Sequence, residues 1–290
     1  PQIEHSLPDI DALIISTGLY TEEVRDHLLE HAARLRWLQV MSSGVDKILK
    51  IGVPPGVVLT SCSGANAAAV ADHALALVLA LIRRLPDALE AQRAGRWDAK
   101  IGHAAATLDG KRALVIGFGQ IGQAISRRLA AFGASVTAVN RSGRTKRTDL
   151  AGAEALESVA RLPALLPEAR IVVLCLPGTD ATRGLLGREQ IALLPAESFL
   201  VNVGRGTTLD EAALTEALAN GRLAGAGLDV FETEPLGRNS RLWSLPNVIL
   251  TPHYAGRGAS LGLLRDIVAE NIARMRSGRP LVNAYDGAGA

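Results

Sequence analysis

Three side chains in the second half of the chain are of the types that bind and protonate a small, oxygen-rich molecule. Arg205 offers a planar fork of donors suited to a carboxylate and a neighbouring carbonyl oxygen. His253 can give a proton to such an oxygen and take it back in the reverse direction. Glu234 can hold the imidazole in one tautomer and favour its protonated form. Together these residue types predict proton transfer beside a bound carboxylate.

Each of the three also has a structural interpretation when it is taken alone. Arg205 stands between two glycines, as a surface turn residue would. His253 follows a proline and could be a strand-end histidine that bonds to the backbone. Glu234 precedes Pro235 and could be a solvated loop charge.

A glycine-rich turn indicates a second site. Gly117, Gly119 and Gly122 follow the predicted strand Ala113–Ile116 and open an amphipathic helix. The first glycine permits a tight turn, the second lets the backbone approach a pyrophosphate, and the third lets helix pack on strand. The helix N-terminus adds free N–H groups and a favourable dipole for phosphate. The spacing alone is weak evidence, but its position between strand and helix predicts dinucleotide binding.

The end of the following strand bears on which dinucleotide binds. The predicted strand Ser135–Val139 runs into Asn140, Arg141 and Ser142. NAD-selective domains place an acidic residue here, which binds the ribose hydroxyls and repels a 2′-phosphate. Asn140 is neutral, Arg141 can stack on adenine or pair with the phosphate, and Ser142 can donate a hydrogen bond. The basic run Arg141–Arg147 therefore predicts NADP as the preferred cofactor, with NAD possible. A basic surface loop without preference is the alternative.

Composition limits the other classes of function. The 290 residues suffice for two domains, and 48% of them are apolar. With 31 basic and 29 acidic residues the formal charge is only +2, and aromatics make up 3%. This balance disfavours binding to nucleic acid, including through the basic run, or to an anionic membrane surface.

Cysteine and histidine usage predicts a reducing, cytoplasmic setting without a metal. Cys62 and Cys175 form neither a disulfide framework nor a metal site by spacing, and Cys175 lies in an apolar run. The sequence opens without a charged-then-apolar leader, and its longest apolar run, Ala74–Ile82, is too short for a membrane span. His73 is expected to be structural. The histidines without metal-ligand spacing are His5, His27, His31, His73 and His103.

Apolar, β-rich runs alternate with helical patterns, which predicts an α/β fold with parallel sheets. The predicted strands are Ala12–Ser16, Leu35–Met41, Ala113–Ile116, Ser135–Val139, Ile171–Leu176, Phe199–Val203, Ala226–Val230 and Val248–Leu250. The predicted helices include Thr21–Ala33, Ala67–Arg84 and Leu261–Arg276. Thr208 and Glu211 predict a capping box for a further helix. The smaller domain is expected to be discontinuous, built from both chain ends.

Several ordered motifs make the chain resemble the D-isomer-specific 2-hydroxyacid dehydrogenases, in particular glyoxylate and hydroxypyruvate reductases. The resemblance runs from about Ala12 to Asn283 and implies two Rossmann-like domains with the active site in the cleft between them. Residues 1–72 and 258–290 would form the substrate domain, and residues 73–257 the dinucleotide-binding domain. Besides the glycine turn, the motifs are Ser43–Asp46, Val70–His73, Gly95–Trp97, Leu176–Thr179, Asn202–Gly206, Leu228–Pro235 and Thr251–Gly256.

The resemblance places catalysis on Arg205, Glu234 and His253, and their order within the motifs disfavours three unrelated structural roles. It completes the carboxylate site with backbone N–H groups around Ser43 and Gly44. Asp229 would contact the nicotinamide carboxamide, with a strand-end turn acid as the alternative. The implied cofactor-binding residues are Gly117, Gly119, Gln120, Ile121, Gly122, Asn140, Arg141, Ser142, Leu176, Pro177, Thr182, Val203, Gly204 and Asp229.

The resulting expectation is hydride transfer between NADP(H) and a small 2-oxo acid or D-2-hydroxy acid, with glyoxylate or hydroxypyruvate leading. One alternative is a 3-phosphoglycerate dehydrogenase-like enzyme, although Ser16 and Val40 stand nearest to where its phosphate-binding arginines would be. Another is a non-enzymatic, dinucleotide-sensing protein like the C-terminal-binding-protein corepressors, which keep the catalytic residues. Formate is disfavoured because formate dehydrogenases pair the histidine with glutamine, whereas here the partner is Glu234.

Two further expectations concern packing. The family's helix matching Ala67–Leu81 lies near a two-fold contact, so a homodimer is expected. Trp97 is expected to be in a core, with packing at that contact or into a neighbouring active site as the alternative. Family members usually have one more strand before Asp11–Ser16. Here either the chain is trimmed or this strand lies in Pro1–Leu7, whose sequence is a poor match to a strand.

Overall fold

Two units make up the structure, a computed structural model that describes residues 7–145, 148–258 and 261–285. The first unit takes residues 1–67 and 258–290, and the second takes residues 68–257. The first boundary between the units falls after residue 67, whereas the sequence predicted it after residue 72. The candidate strand Pro1–Leu7 lies outside the described residues except for Leu7, which begins the 3₁₀ turn Leu7–Asp9.

The α/β fold with parallel sheets is confirmed. The strands are β1 Ala12–Ile15, β2 Trp37–Val40, β3 Val58–Ser61, β4 Arg112–Ile116, β5 Ser135–Asn140, β6 Ala155–Ser158, β7 Ile171–Leu174, β8 Phe199–Asn202, β9 Gly225–Leu228 and β10 Val248–Leu250. The α-helices are α1 Glu22–His31, α2 Asp46–Ile51, α3 Ala67–Ile82, α4 Leu85–Arg93, α5 Gln120–Ala131, α6 Leu162–Leu165, α7 Arg188–Ala192, α8 Glu211–Ala219 and α9 Leu261–Arg276.

The first unit is built on a three-stranded parallel sheet in the order β1-β2-β3. Its core includes the fully buried Leu38 and Ile48. A buried amide pair joins α9 to this sheet, because Asn271 donates to the side chain of Gln39 at 3.1 Å. The C-terminal segment also reaches β3, where the Tyr285 N–H donates to the carbonyl of Leu59.

The second unit is built on a seven-stranded sheet in the order β10-β9-β8-β7-β4-β5-β6, and every pair in it is parallel. The chain builds outward from β4 through β5 to β6, then returns to β7 and builds outward on the other side. The order therefore reverses between β4 and β7. In open parallel sheets, ligands bind beyond the carboxyl ends of the strands at such a switch point. The glycine turn follows β4 directly.

Strands β3 and β6 were not predicted from the sequence. β3 ends in Thr60 and Ser61, which are buried and interrupt the apolar run. β6 lies at the edge of the larger sheet, and its four residues are all half-buried, so its sequence lacks a strong apolar pattern.

The helix after α3 was missed because of Pro86. A proline usually indicates that a helix has ended, but Pro86 lies in the first turn of α4, where a missing N–H leaves no hydrogen bond unmade. The predicted capping box is also wrong. Asp210 is the N-cap of α8 and accepts from Ala213 N–H, whereas Glu211 accepts from the backbone N–H of Glu232.

Trp97 does not belong to a core, since it is 98% exposed. The sequence interpretation failed because a large aromatic residue is normally buried. Along the described stretches of the chain, each helix is too short or too polar to cross a bilayer.

Candidate active site

The candidate catalytic residues follow neighbouring strands of the larger sheet at their carboxyl ends. Arg205 comes three residues after β8 ends, Asp229 directly after β9, and His253 three residues after β10. Since parallel strands end at one edge, the sheet brings these segments together, although they are distant in sequence. Glu234 reaches the same edge on the loop that leaves β9.

Glu234 and His253 are joined by a direct hydrogen bond. Nδ1 of His253 lies 2.7 Å from Oε2 of Glu234, and Oε1 of Glu234 accepts from the Phe231 N–H at 3.1 Å. The side chain of His253 is 48% exposed and that of Glu234 is 35% exposed, so solvent or a ligand can reach this pair. Because Glu234 occupies Nδ1, Nε2 is the nitrogen placed to exchange a proton with a substrate.

The turn that carries His253 is held by Asp229. His253 has a left-handed backbone, with φ of 50°, which L-residues adopt only at some cost in free energy. Its N–H donates to the Asp229 carbonyl at 2.8 Å. The Asp229 side chain, with the residue only 1% exposed, accepts from Tyr254 N–H on one oxygen and Ala255 N–H on the other. Asp229 therefore serves as a turn acid at the strand end, whereas its contact with a nicotinamide stays a prediction.

Arg205 is flanked by glycines because the chain there passes between two other backbone segments. A Cβ on Gly204 would lie 2.6 Å from the carbonyl oxygen of Leu176, and one on Gly206 would lie 1.8 Å from the carbonyl carbon of Phe231. Phe231 in turn donates its N–H to Glu234. The glycines thus bring the Arg205 loop against the segment that orients Glu234.

Backbone and side-chain groups also fix the position of Arg205. Its carbonyl accepts from Asn202 Nδ2 at 3.0 Å and from Thr208 Oγ1 at 2.6 Å. Its guanidinium donates through Nη1 to the carbonyl of Gly204 at 2.7 Å. Gly178 leaves room for the side chain, because a Cβ there would lie 3.1 Å from Arg205 Cγ.

The glycine turn has the geometry of a dinucleotide cradle. Gly117 has φ of 109°, and a Cβ on Gly122 would lie 1.8 Å from the carbonyl oxygen of Gly117. A Cβ on Gly119, by contrast, would have no described atom within 4 Å, so the space above this backbone is open. Helix α5 begins at Gln120 without a side-chain cap at Gly119, which leaves its N–H groups, Ile121 among them, for a phosphate. These residues fit a pyrophosphate.

Cys175 packs beneath this turn. Its thiol donates to the Gly117 carbonyl at 3.1 Å, and Sγ would lie 3.1 Å from a Cβ on Gly122. Burial raises the pKa of the Cys175 thiol to about 12. The thiol therefore stays protonated at neutral pH and packs against the turn.

The loop after β5 is organised by Asn140. Its Oδ1 accepts from the N–H groups of Ser142 and Gly143, and its Nδ2 donates to the carbonyl of Arg144 at 2.8 Å. Asn140 thus shapes the loop instead of presenting its amide outward. The side chain of Arg141 is exposed beside it. Lys146 and Arg147 of the predicted basic run lie outside the described residues.

The remaining predicted cofactor residues line the ends of β7 and β8. Thr182 donates to the Pro177 carbonyl at 2.6 Å and accepts from Thr179 N–H at 2.9 Å, which closes the loop that follows Leu176. Val203 is buried, with 6% exposure.

The predicted carboxylate donors lie in the first unit, on the loop after β2. The Ser43 hydroxyl lies within hydrogen-bonding distance of Asn66 Oδ1 and of the Cys62 carbonyl, either of which can accept its proton, and Ser42 donates to the Gly44 carbonyl at 2.7 Å. These bonds give the loop a defined conformation.

Sequence reasoning missed two residues that support this site. Gly178, which makes room for Arg205, was noticed only as part of a motif. His73 was expected to be structural, and its Nε2 lies 3.0 Å from Thr251 Oγ1, two residues before His253, a partner that the sequence did not indicate. Its signal was a polar ring on a largely apolar helix.

Comparison with known proteins identifies the family. Residues 75–255 match the family described as D-isomer specific 2-hydroxyacid dehydrogenase, NAD binding domain. The protein belongs to the D-isomer specific 2-hydroxyacid dehydrogenases, as its motifs predicted, and its second unit contains the nicotinamide dinucleotide-binding domain.

Relatives with assigned activities narrow the class to 2-hydroxyacid oxidoreductases. A glyoxylate reductase of Thermococcus gammatolerans is 35% identical over 93% of this chain and 81% of its own. A D-3-phosphoglycerate dehydrogenase of Archaeoglobus fulgidus is 32% identical over 98% of this chain, which spans only 53% of that protein. Among solved structures, an NADPH-dependent glyoxylate/hydroxypyruvate reductase from Sinorhizobium meliloti, in complex with NADP and sulfate, superposes with a TM-score of 0.83. It is 29% identical, and the match covers 98% of this chain and 87% of that one.

Proposed function

We propose that this protein reduces a small, unphosphorylated 2-oxo acid, glyoxylate or hydroxypyruvate, to the D-2-hydroxy acid with NADPH. The observation that carries this proposal is the hydrogen bond between Glu234 and Nδ1 of His253, because it prepares the imidazole for acid–base work. A bound nicotinamide supplies the hydride. We propose that three parts of the second unit bind the dinucleotide: the glycine turn, the Asn140–Ser142 loop and the segments that follow β7 and β8.

Arg205 binds the substrate and His253 transfers the proton. The guanidinium of Arg205 binds the carboxylate and polarises the carbonyl oxygen, and the backbone of Ser43 and Gly44 is proposed to donate further hydrogen bonds to the carboxylate. His253 then gives the proton on Nε2 to that oxygen as it becomes a hydroxyl. Glu234 stabilises the imidazolium before transfer and keeps its orientation afterwards. In the oxidative direction His253 takes the proton back.

The two positions where a phosphoglycerate dehydrogenase would place phosphate-binding arginines offer no cation, which supports an unphosphorylated substrate. Val40 is fully buried, and Ser16 carries no charge, so neither offers a phosphate a cation. The nearby Lys47 is committed to the carbonyls of Thr17 and Gly18, at 3.3 and 3.2 Å. At these positions a phosphate on the substrate would lose hydration without gaining an ion pair.

Steady-state kinetics separates this proposal from the phosphoglycerate dehydrogenase alternative. We expect kcat/KM for hydroxypyruvate to exceed that for 3-phosphohydroxypyruvate by about tenfold or more, since one unpaired charge costs at least about 1.4 kcal/mol. D-glycerate, the expected product, identifies the stereochemical course. A higher kcat/KM for the phosphorylated substrate would overturn the proposed substrate class.

The preference for NADPH rests on the loop after β5. The neutral Asn140 removes the repulsion that an acidic residue would exert on a 2′-phosphate, and it shapes the loop that presents Arg141. A charge-assisted bond from Arg141 to that phosphate contributes about 1.5–3 kcal/mol.

We expect Arg141→Ala to lower kcat/KM for NADPH by about tenfold or more and to leave NADH nearly unchanged. Arg127→Ala, which removes an exposed arginine on α5, is the matched control and should change neither value. An equal loss with both cofactors, or a wild-type protein that prefers NADH, would contradict the assignment.

We further propose a homodimer in a reducing, cytoplasmic setting. Leu85 and Leu89, one helical turn apart on α4, are 49% and 50% exposed, and Trp97 nearby in sequence is 98% exposed. Exposed apolar side chains of this size gain free energy when a second copy covers them. Both cysteines are free thiols, which fits a reducing compartment.

Analytical ultracentrifugation tests the dimer. We expect the wild-type protein to sediment at twice the chain mass and Leu89→Asp to sediment as a monomer, because the new charge would be buried unpaired. The control Leu193→Asp changes another exposed leucine, 39% exposed on the segment after α7, and should remain dimeric. A wild-type monomer at micromolar concentration would contradict this proposal.

A further inference from the structure

A second histidine lies behind the turn that carries His253. His73, on α3, has a side chain only 15% exposed, and its Nε2 lies 3.0 Å from Thr251 Oγ1 and 3.7 Å from Asp229 Oδ1. Its ring also packs edge-on against the ring of Tyr254, with centroids 5.0 Å apart. His73 thus contacts the residues on both sides of His253 along the chain.

The direction of these hydrogen bonds follows from the capacity of each group. Thr251 donates its single hydroxyl proton to Asp229 Oδ1 at 2.6 Å. The hydroxyl can then only accept from His73, which must carry a hydrogen on Nε2. The Asp229 carboxyl group accepts from Thr251 and from the N–H groups of Tyr254 and Ala255. The chain of donors therefore runs from His73 through Thr251 to Asp229.

We infer that His73 is a positioning residue, which acts through Thr251 and Asp229 to hold the turn that presents His253 to the substrate. The left-handed backbone of His253 needs such support, since the turn would otherwise relax toward a conformation of lower energy. His73 itself donates to Thr251 and not to the reacting atoms. The effect expected on turnover rests on the proposed function, whereas the effect on the turn does not.

Two substitutions separate the hydrogen bond from the packing of the ring. His73→Phe keeps an aromatic ring against Tyr254 but removes the donor. His73→Gln restores a donor near the position of Nε2. His103→Phe, at an exposed histidine of the same unit, is the control. Thermal unfolding first establishes that all three variants fold.

Amide hydrogen exchange reports the turn directly. In His73→Phe we expect the N–H groups of Tyr254 and Ala255 to exchange about tenfold faster, with wild-type rates largely recovered in His73→Gln. With hydroxypyruvate and NADPH, kcat of the phenylalanine variant should fall about tenfold at nearly constant KM, and glutamine should restore most of it.

The outcomes distinguish this inference from the proposed function. Unchanged exchange at both amides in His73→Phe would overturn the inference, as would faster exchange with kcat unchanged. If His73→Gln lost as much as His73→Phe, a donor at this position would not be what holds the turn, and the inference would also be overturned. If the wild-type protein reduced no 2-oxo acid, the proposed function would fail, and the exchange comparison would still decide whether His73 holds the turn.

Discussion

We expect replacement of His253 with alanine to lower kcat for 2-oxo acid reduction by about 10³-fold, because a positioned general acid contributes about 10²–10⁴-fold. In free energy this is about 4 kcal/mol of transition-state stabilisation. The affinity for NADPH should remain nearly unchanged, since the proposed dinucleotide contacts lie at the glycine turn and the loop after β5. Stopped-flow turnover and a fluorescence titration of NADPH measure the two quantities separately.

Glu234→Gln provides the matched comparison. Glutamine keeps an oxygen that can accept from Nδ1 at the position of the 2.7 Å contact, but it lacks the charge that favours the imidazolium. We expect a smaller loss, about 10–100-fold in kcat. Activity of His253→Ala within about tenfold of wild type would remove His253 from the role of acid. A Glu234→Gln variant as active as wild type would remove the proposed electrostatic role of Glu234.

Two alanine substitutions three residues apart in the glycine turn have opposite consequences. In Gly122→Ala the new Cβ would lie 1.8 Å from the Gly117 carbonyl oxygen, a backbone atom that cannot move without opening the turn. We expect the free energy of unfolding to fall by about 3 kcal/mol or more. In Gly119→Ala the Cβ enters open space, and the backbone, with φ of −77°, suits alanine. The fold should therefore keep its stability.

Gly119→Ala should instead weaken the binding of NADPH, although it leaves the stability of the fold unchanged. Its Cβ occupies the space where the backbone would approach the pyrophosphate, so we expect Kd for NADPH to rise about tenfold or more. Differential scanning calorimetry and isothermal titration calorimetry provide the two measurements. A stable Gly122→Ala protein would contradict the close approach of helix and strand. Wild-type NADPH affinity in Gly119→Ala would show that the dinucleotide does not cross this turn.

The elements with strong local patterns could be predicted from the sequence. β4 and the helix after the glycine turn follow from a short apolar strand and a helical repeat, and α9 was predicted with its observed bounds. β6 could not be found in this way, because an edge strand with half-buried residues has little apolar alternation. α4 was hidden by Pro86, since a proline indicates a break unless the helix is known to begin there.

The candidate catalytic residues could be predicted from the sequence, but the residues that position them could not. Arg205, Glu234 and His253 are recognisable by residue type and motif, whereas the reasons for Gly204 and Gly206 lie in close backbone approaches across the sheet. Such approaches join segments distant in sequence, and no local pattern encodes them. The contact between His73 and Thr251 spans 178 positions, so it becomes visible only in the folded chain.

Turnover of a panel of 2-oxo acids by the wild-type protein, with NADPH oxidation followed at 340 nm, tests the central claim most directly. The panel comprises glyoxylate, hydroxypyruvate, pyruvate and 3-phosphohydroxypyruvate, and His253→Ala is the inactive control. We predict rapid oxidation of NADPH with glyoxylate or hydroxypyruvate and the D-isomer as the product of hydroxypyruvate. Tight binding of NADPH without turnover of any of these acids would contradict the account and favour a protein that senses the dinucleotide without catalysis.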